Sequence, residues 1–320
     1  MKLRAAFVDI NEKGKTMSRQ IDRRSLLKTA GLAAGALCAG TDIRLSAAGR
    51  RLKIGYTSIT WGFGPKAAEP GIRDSAALGY HGYESFDNVL EVFEEQGGLG
   101  QLLDKYGIRL VSSYFNANLT NPDVRKDEVA KIVRWGKLLR KYGGLWMVIG
   151  PNPVRRGEYD FNAARPAILA ALNEIGMAAA DLGLKATIHQ HTDTCIDTRD
   201  QVYSVLNAVD TRYMGFGPDV GQLAKAGSDP VQVVRDFASI IRSVHLKDYK
   251  GWEHYAGYCP VGQGKIDFPT ILDILESQSK DLEYAMVELE PPGRNAPMNS
   301  LEAATASKQY LQKLGYQFRS

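Results

Sequence analysis

Imidazole and carboxylate side chains collect at a few short points of this chain. His189-Gln190-His191, Asp219, His245-Leu246-Lys247-Asp248 and Glu288-Leu289-Glu290 each close or follow an apolar run, as Glu84 does further upstream. Three of the five histidines are among them. Taken singly, such residues are most often solvated or hydrogen-bonded at the surface. Converging from consecutive strands, borderline nitrogen and hard oxygen donors suit one divalent ion such as Mn, Co, Zn or Mg. An ion of this kind polarises a carbonyl and stabilises the enediolate formed when a neighbouring proton leaves. A carboxylate beside it can pass that proton between adjacent carbons.

The elements that must position these residues are legible in the hydrophobic pattern. Short runs rich in β-branched and aromatic residues predict strands at 53–58, 82–85, 109–114, 146–150, 185–189, 213–217, 243–246 and 285–288. Amphipathic stretches at 127–142, 163–182 and 229–240 predict helices between them. Gly79, Gly107, Gly143 and Gly183 stand where helices should end in a left-handed cap before the next strand. Eight strands separated by helix-length segments predict an α/β fold, a (β/α)8 TIM barrel, whose chemistry sits at the strand ends. A doubly wound sheet would show a glycine-rich phosphate turn after its first strand. Here that strand runs into Ser58-Ile59-Thr60-Trp61-Gly62, with no such turn.

The 320 residues, 44% hydrophobic and 24% charged, exclude a disordered chain, a fibre and a disulfide-dense miniprotein. The net charge of +4 is concentrated in residues 1–48, which carry nine basic and four acidic side chains. The remainder is close to neutral and offers no electrostatic footprint for nucleic acid. Within the first segment, Arg23-Arg24 precede an uncharged Gly/Ala/Leu run from Thr29 to Gly40, and Ser46-Ala47-Ala48 offers a cleavage site. This pattern resembles a twin-arginine export signal, with Met17 an alternative start. It predicts a periplasmic or secreted protein, free of the membrane once residues 1–48 are removed, with a single barrel domain over 49–320. Cys195 and Cys259 would remain; their pairing stays open at this stage.

The later motifs resemble the xylose isomerase-like TIM barrel superfamily of sugar isomerases, epimerases and related lyases, and within it inosose dehydratase-like members. The passages that carry the likeness are Asp219-Val220-Gly221-Gln222 with Gly227-Ser228-Asp229-Pro230, then His245-Leu246-Lys247-Asp248, Gly262-Gln263-Gly264-Lys265-Ile266-Asp267-Phe268 and Val287-Glu288. The resemblance implies one divalent metal held by His189 or His191, Asp219, His245 and Glu288. Two departures stand out. The fifth strand ends in histidine where many members have glutamate, and Gln222 replaces the usual histidine of the sixth-strand motif. Gln222 cannot carry a proton and can only hydrogen-bond.

Catalytic roles are expected of Glu288, His189 and Lys247, with Lys247 near an enolate oxygen at the mouth. Glu84, His191, Gln222, Asp248 and Glu290 are expected to face substrate. Trp61 is expected to form an apolar wall against a sugar ring, with Trp252 a second candidate. The expected activity is that of a metal-dependent enzyme removing a proton beside the carbonyl of a sugar, keto-sugar or cyclitol. Homo-oligomers and an oxidoreductase that supplies the ketone fit the same family logic. A degenerate barrel that only binds sugar is the alternative. A DNA-repair endonuclease on this barrel would need a trinuclear zinc cluster with more ligands than this face offers.

Overall fold

The computed structural model describes residues 49–155 and 157–320; the expected export segment lies outside them. Eight parallel strands form one sheet: β1 (Lys53–Thr57), β2 (Tyr83–Phe86), β3 (Leu110–Ala117), β4 (Trp146–Pro151), β5 (Lys185–Ile188), β6 (Met214–Phe216), β7 (His245–Leu246) and β8 (Tyr284–Val287). They pair in the order β6-β5-β4-β3-β2-β1-β8-β7. Parallel bridges between Phe216 and Ile241 and between Asp219 and His245 join the two free edges. At that seam the His245 N–H donates to Pro218 O at 2.9 Å. Closure therefore brings two of the candidate metal ligands side by side.

The predicted strands are all present, most within one or two residues of their expected ends. Gly79, Gly107, Gly143 and Gly183 all adopt positive φ, as expected for left-handed caps. The predicted helices are found at Arg125–Lys141, Phe161–Asp181 and Pro230–Phe237. Asp160 caps the second of these by accepting the Asn162 and Ala163 N–H groups. The β2–β3 crossover carries two helices, Asp87–Glu95 and Gly100–Tyr106. The β7–β8 crossover begins with a small antiparallel hairpin pairing 248–249 with 258–259.

Two apolar layers hold this scaffold. The main core lies between sheet and helices and includes Ile54, Ile72, Leu90, Leu172, Phe216 and Leu272, all wholly buried. A separate cluster of strand residues, Val111, Trp146, Tyr284 and Met286, plugs the barrel near the strand starts. Gly55 makes room for it, since a Cβ there would stand 2.5 Å from the Met286 sulfur. Polar residues are thereby concentrated at the opposite, C-terminal end. Cys195 and Cys259 are buried free thiols, whose protonated form burial favours. No described helix is long and apolar enough to cross a membrane.

Candidate active site

A cavity of about 280 Å³ opens at the C-terminal ends of the strands. Glu84, Tyr114, His189, His191 and Glu288 are among its lining residues. Behind them, and fully buried, lie Asp219, His245 and Lys247. Together they arrive from six strand ends, those of β2, β3, β5, β6, β7 and β8, so the cluster depends on barrel closure. Asp219 also caps the short helix Val220–Lys225: its Oδ1 accepts the Gly221 and Gln222 N–H groups at 2.8 and 2.9 Å. Gln190 clamps its main chain, donating to Asp219 O at 2.7 Å.

The donor atoms fall into two overlapping triads, His189–Asp219–His245 and Glu84–His245–Glu288, with candidate ligand atoms within 4.8 Å of one another in each. His189 Nε2 lies 4.0 Å from Asp219 Oδ2. His245 stands between two carboxylates, Nε2 at 2.9 Å from Glu84 Oε1 and Nδ1 at 2.7 Å from Glu288 Oε2. Glu84 is steadied by the Ser112 hydroxyl, which donates to its other oxygen at 2.6 Å. Glu84 was expected to face substrate; it does line the cavity, but it also belongs to the ligand cluster.

A divalent cation fits this donor set. Asp219 Oδ2 and His189 Nδ1 are buried without a hydrogen-bond partner. A buried unpaired polar atom costs about 1–3 kcal/mol, and a cation near Asp219 Oδ2 would remove that cost for the carboxylate. Nitrogen and oxygen donors without thiolate agree with the ions expected from sequence.

The electrostatics are uneven. Burial pushes His189 well below its ordinary value, and the neighbouring His245 adds to this, so its imidazole is neutral. Burial also opposes protonation of His245, but the Glu84 and Glu288 carboxylates outweigh it and hold the group well above its ordinary value. Burial pushes Asp219 up to about 7 against the pull of Lys247. Glu288 goes the other way: Lys247 and His245 outweigh burial and hold it well below the usual range. Distance accounts for the contrast, because Lys247 Nζ is 2.8 Å from Glu288 Oε1 but 3.7 Å from Asp219 Oδ2.

Several expected roles are corrected by the packing. Lys247 is not at the mouth: it is wholly buried, pairs with Glu288 and Glu290 at 2.8 Å each, and lies over the Tyr258 ring. Glu290 faces that lysine rather than the cavity. Asp248 turns away to accept main-chain N–H groups of Gly262 and Gly264 at 3.0 and 2.8 Å, which shapes the 262–266 loop. Trp61 packs edge-on against Tyr56 and donates to Asp74 at 2.9 Å, so it belongs to the core. Trp252 packs with Tyr249, Tyr255 and Tyr258 around the hairpin. The aromatic wall is instead Phe63, 58% exposed, and Phe86, with ring centroids 5.9 Å apart.

Gln222 does not face the cavity. Its Oε1 accepts from the Thr192 hydroxyl at 2.8 Å and the Thr192 N–H at 3.3 Å, so its amide NH2 points at His191 Nε2, 2.7 Å away. His191 Nδ1 then donates to Thr192 O at 2.9 Å. Both nitrogens of His191 are engaged, whereas His189 reaches the cluster. Tyr114 was missed from sequence; its ring stands edge-on to His189 at 5.3 Å. It ended a predicted strand, so the strand-end argument applied to it as much as to the histidines.

The chain is similar to several known proteins. An inosose dehydratase of Clostridium botulinum (strain Alaska E43 / Type E3) is 26% identical over 297 residues, covering 82% of this chain and 97% of the relative. Among solved structures, a zinc-bound IOLI protein superposes with a TM-score of 0.67 at 17% identity, covering 84% of this chain and all of that one. The 3-keto-D-glucoside 4-epimerase YcjR of E. coli, in its apo form, gives a TM-score of 0.63 at 15% identity, covering 82% and 98%. At these identities the structural likeness speaks for the fold alone. The xylose isomerase-like TIM barrel family model matches residues 72–314, three quarters of the sequence, and the chain belongs to that family.

Proposed function

We propose that this chain is a divalent-metal-dependent enzyme that removes a proton beside the carbonyl of a sugar, keto-sugar or cyclitol, as an isomerase, an epimerase or a dehydratase. The observation that carries the reading is the convergence of His189, Asp219, His245 and Glu288 at the foot of one cavity, with Asp219 Oδ2 buried and without a hydrogen-bond partner. That it is an enzyme of the isomerase, epimerase or lyase kind accords with its inosose dehydratase relatives and epimerase-like neighbours. The fifth-strand histidine tilts the choice toward dehydration.

His189, Asp219, His245 and Glu288 would hold the ion, with Glu84 beside them. The ion would supply Lewis-acid polarisation of a substrate carbonyl. The protein's own groups do the rest. Lys247 holds Glu288 charged and oriented through the pair to Oε1. Glu84, bonded to Ser112 and reaching the cavity, is placed to exchange a proton with His245 Nε2. Tyr114 and the Phe63–Phe86 wall confine the ligand and exclude water from the reacting face.

The test is proton exchange in deuterated water with metal-loaded protein and a panel of keto-sugars and inososes. Exchange of a hydrogen beside the carbonyl that is lost in His245→Ala supports the reading. A metal-free protein that still binds sugar would favour a binding module. We also propose residues 1–48 as an export address; a mature N-terminus near Ala48 on exported protein is its check.

A further inference from the structure

The cavity lining carries a chemical preference of its own. Among the described residues no lysine or arginine lines it, whereas three carboxylates do, those of Glu84, Asp87 and Glu288. Lys247 lies behind the floor with no exposed surface. Arg155, two residues past the lining residue Pro153, has an 85% exposed side chain and faces Glu158 at 3.6 Å. Recognition of a phosphate or carboxylate ordinarily needs a paired cation or open main-chain N–H groups.

The helix Asp87–Glu95 starts at the cavity and could have supplied such N–H groups. Its own first residue takes one of those N–H groups and sets a carboxylate beside the others. Asp87 Oδ1 accepts the Asn88 N–H at 2.6 Å, and Oδ2 accepts the Asn116 N–H at 3.1 Å and its side-chain amide at 3.4 Å. The helix end therefore presents a bound carboxylate to the ligand. A resident divalent ion does not reverse this balance. The Asp219 and Glu288 carboxylates match its charge, and those of Glu84 and Asp87 remain.

The rest of the lining suits a neutral ring. Phe63 and Phe86 offer an apolar face, tilted 33° to one another, on which the C–H side of a sugar or cyclitol can rest. Asn88, Asn116 and Ser85, also in the lining, offer hydrogen bonds to the ring's hydroxyls. We propose that this site selects an uncharged polyhydroxylated ring and rejects phosphorylated or carboxylated analogues, with Asp87 the anion-excluding residue and Phe63 the apolar wall. The inference rests on the function proposed above and names its substrate class.

Metal-loaded full-length protein is tested for binding and for C–H exchange with inosose and D-fructose, against D-fructose 6-phosphate and D-glucuronate. The neutral ligands are expected to be preferred by about 100-fold. Asp87→Asn should narrow that ratio by about tenfold, and Phe63→Ala should raise KM for the neutral ligand with little change in kcat. Phe63 is exposed, so its variant keeps the fold. Anionic ligands bound as well as or better than neutral ones, or a ratio unmoved in Asp87→Asn, overturn the inference. Selective binding of neutral ligands without any exchange supports it while counting against the proposed chemistry. Binding of neither kind at millimolar concentration overturns both.

Discussion

Lys247 Nζ lies 2.8 Å from Glu288 Oε1, an ion pair in which the lysine is wholly buried while the glutamate borders the cavity. The same ammonium pairs with Glu290, so one cation serves two carboxylates two residues apart on one strand end. Lys247→Met removes the countercharge and leaves both carboxylates behind. Breaking a buried pair in this way costs about 3–5 kcal/mol. Urea unfolding of metal-free protein should show that loss, and added Mn²⁺ should restore part of it. An unchanged midpoint would contradict the role assigned to the pair.

Metal uptake should release protons and strengthen with pH. His245 is held protonated by Glu84 and Glu288, and burial pushes Asp219 up to about 7. Both must give up a proton to act as ligands, so affinity should climb with pH through the Asp219 value of about 7 and go on rising above it as His245 loses its proton. Calorimetry in buffers of different ionisation enthalpy measures the released protons directly. His245→Ala and Asp219→Asn should each abolish stoichiometric binding.

The metal-free protein should also show a pH slope of its own. The folded-state value of Asp219, about 7, is above its ordinary value of 3.8. Between those limits the native state binds more protons than the unfolded chain, so stability falls as pH rises. Asp219→Asn should flatten that part of the profile. A thermal-melt series across pH 4 to 7 with and without the substitution checks the sign.

Gly150 and Tyr114 couple packing to the site. A Cβ at Gly150 would come within 2.0 Å of the Tyr114 ring carbon that bears the hydroxyl. Gly150→Ala must therefore displace the ring and disturb its edge-on contact with His189 at 5.3 Å. Overpacking of this kind costs about 1–3 kcal/mol. Activity should fall further than stability alone explains, while Gly64→Ala, in open space, serves as the packing control.

His191 should be found with its proton on Nδ1. Thr192 orients the Gln222 amide, which leaves His191 Nε2 as the acceptor and Nδ1 as the donor to Thr192 O. Nitrogen NMR of labelled protein reads the tautomer. Gln222→Ala should cost about 1 kcal/mol and release that preference. A proton on Nε2 in the unaltered protein would refute the orientation.

Much of the architecture was legible because it rests on local rules. Strand runs such as 146–150 are apolar throughout, as buried parallel strands must be. Glycines such as Gly107 occupy positions where only a left-handed cap lets the chain turn into the next strand. The hairpin at 248–259 escaped because its strands are two residues each and leave no period to detect.

The candidate site was legible as a set of strand ends and not as an arrangement. Residue types at 189, 219, 245 and 288 carry the chemistry whatever their neighbours, and barrel topology sends strand ends to one face. The direction of each side chain past a strand end follows from contacts with residues far away in the chain. Lys247 goes inward because Glu288 and Glu290 await it, Asp248 goes outward because the 262–266 loop offers N–H groups, and Trp61 goes behind because Asp74 accepts its indole proton. Whether His189 or His191 joins the cluster turned on Gln222, thirty-one residues beyond the latter. The amino-acid sequence by itself determined which chemistry is present and at which end of the barrel it gathers. The tertiary structure decided which atoms meet, because hydrogen-bond partners from separate strands become neighbours only when the sheet closes.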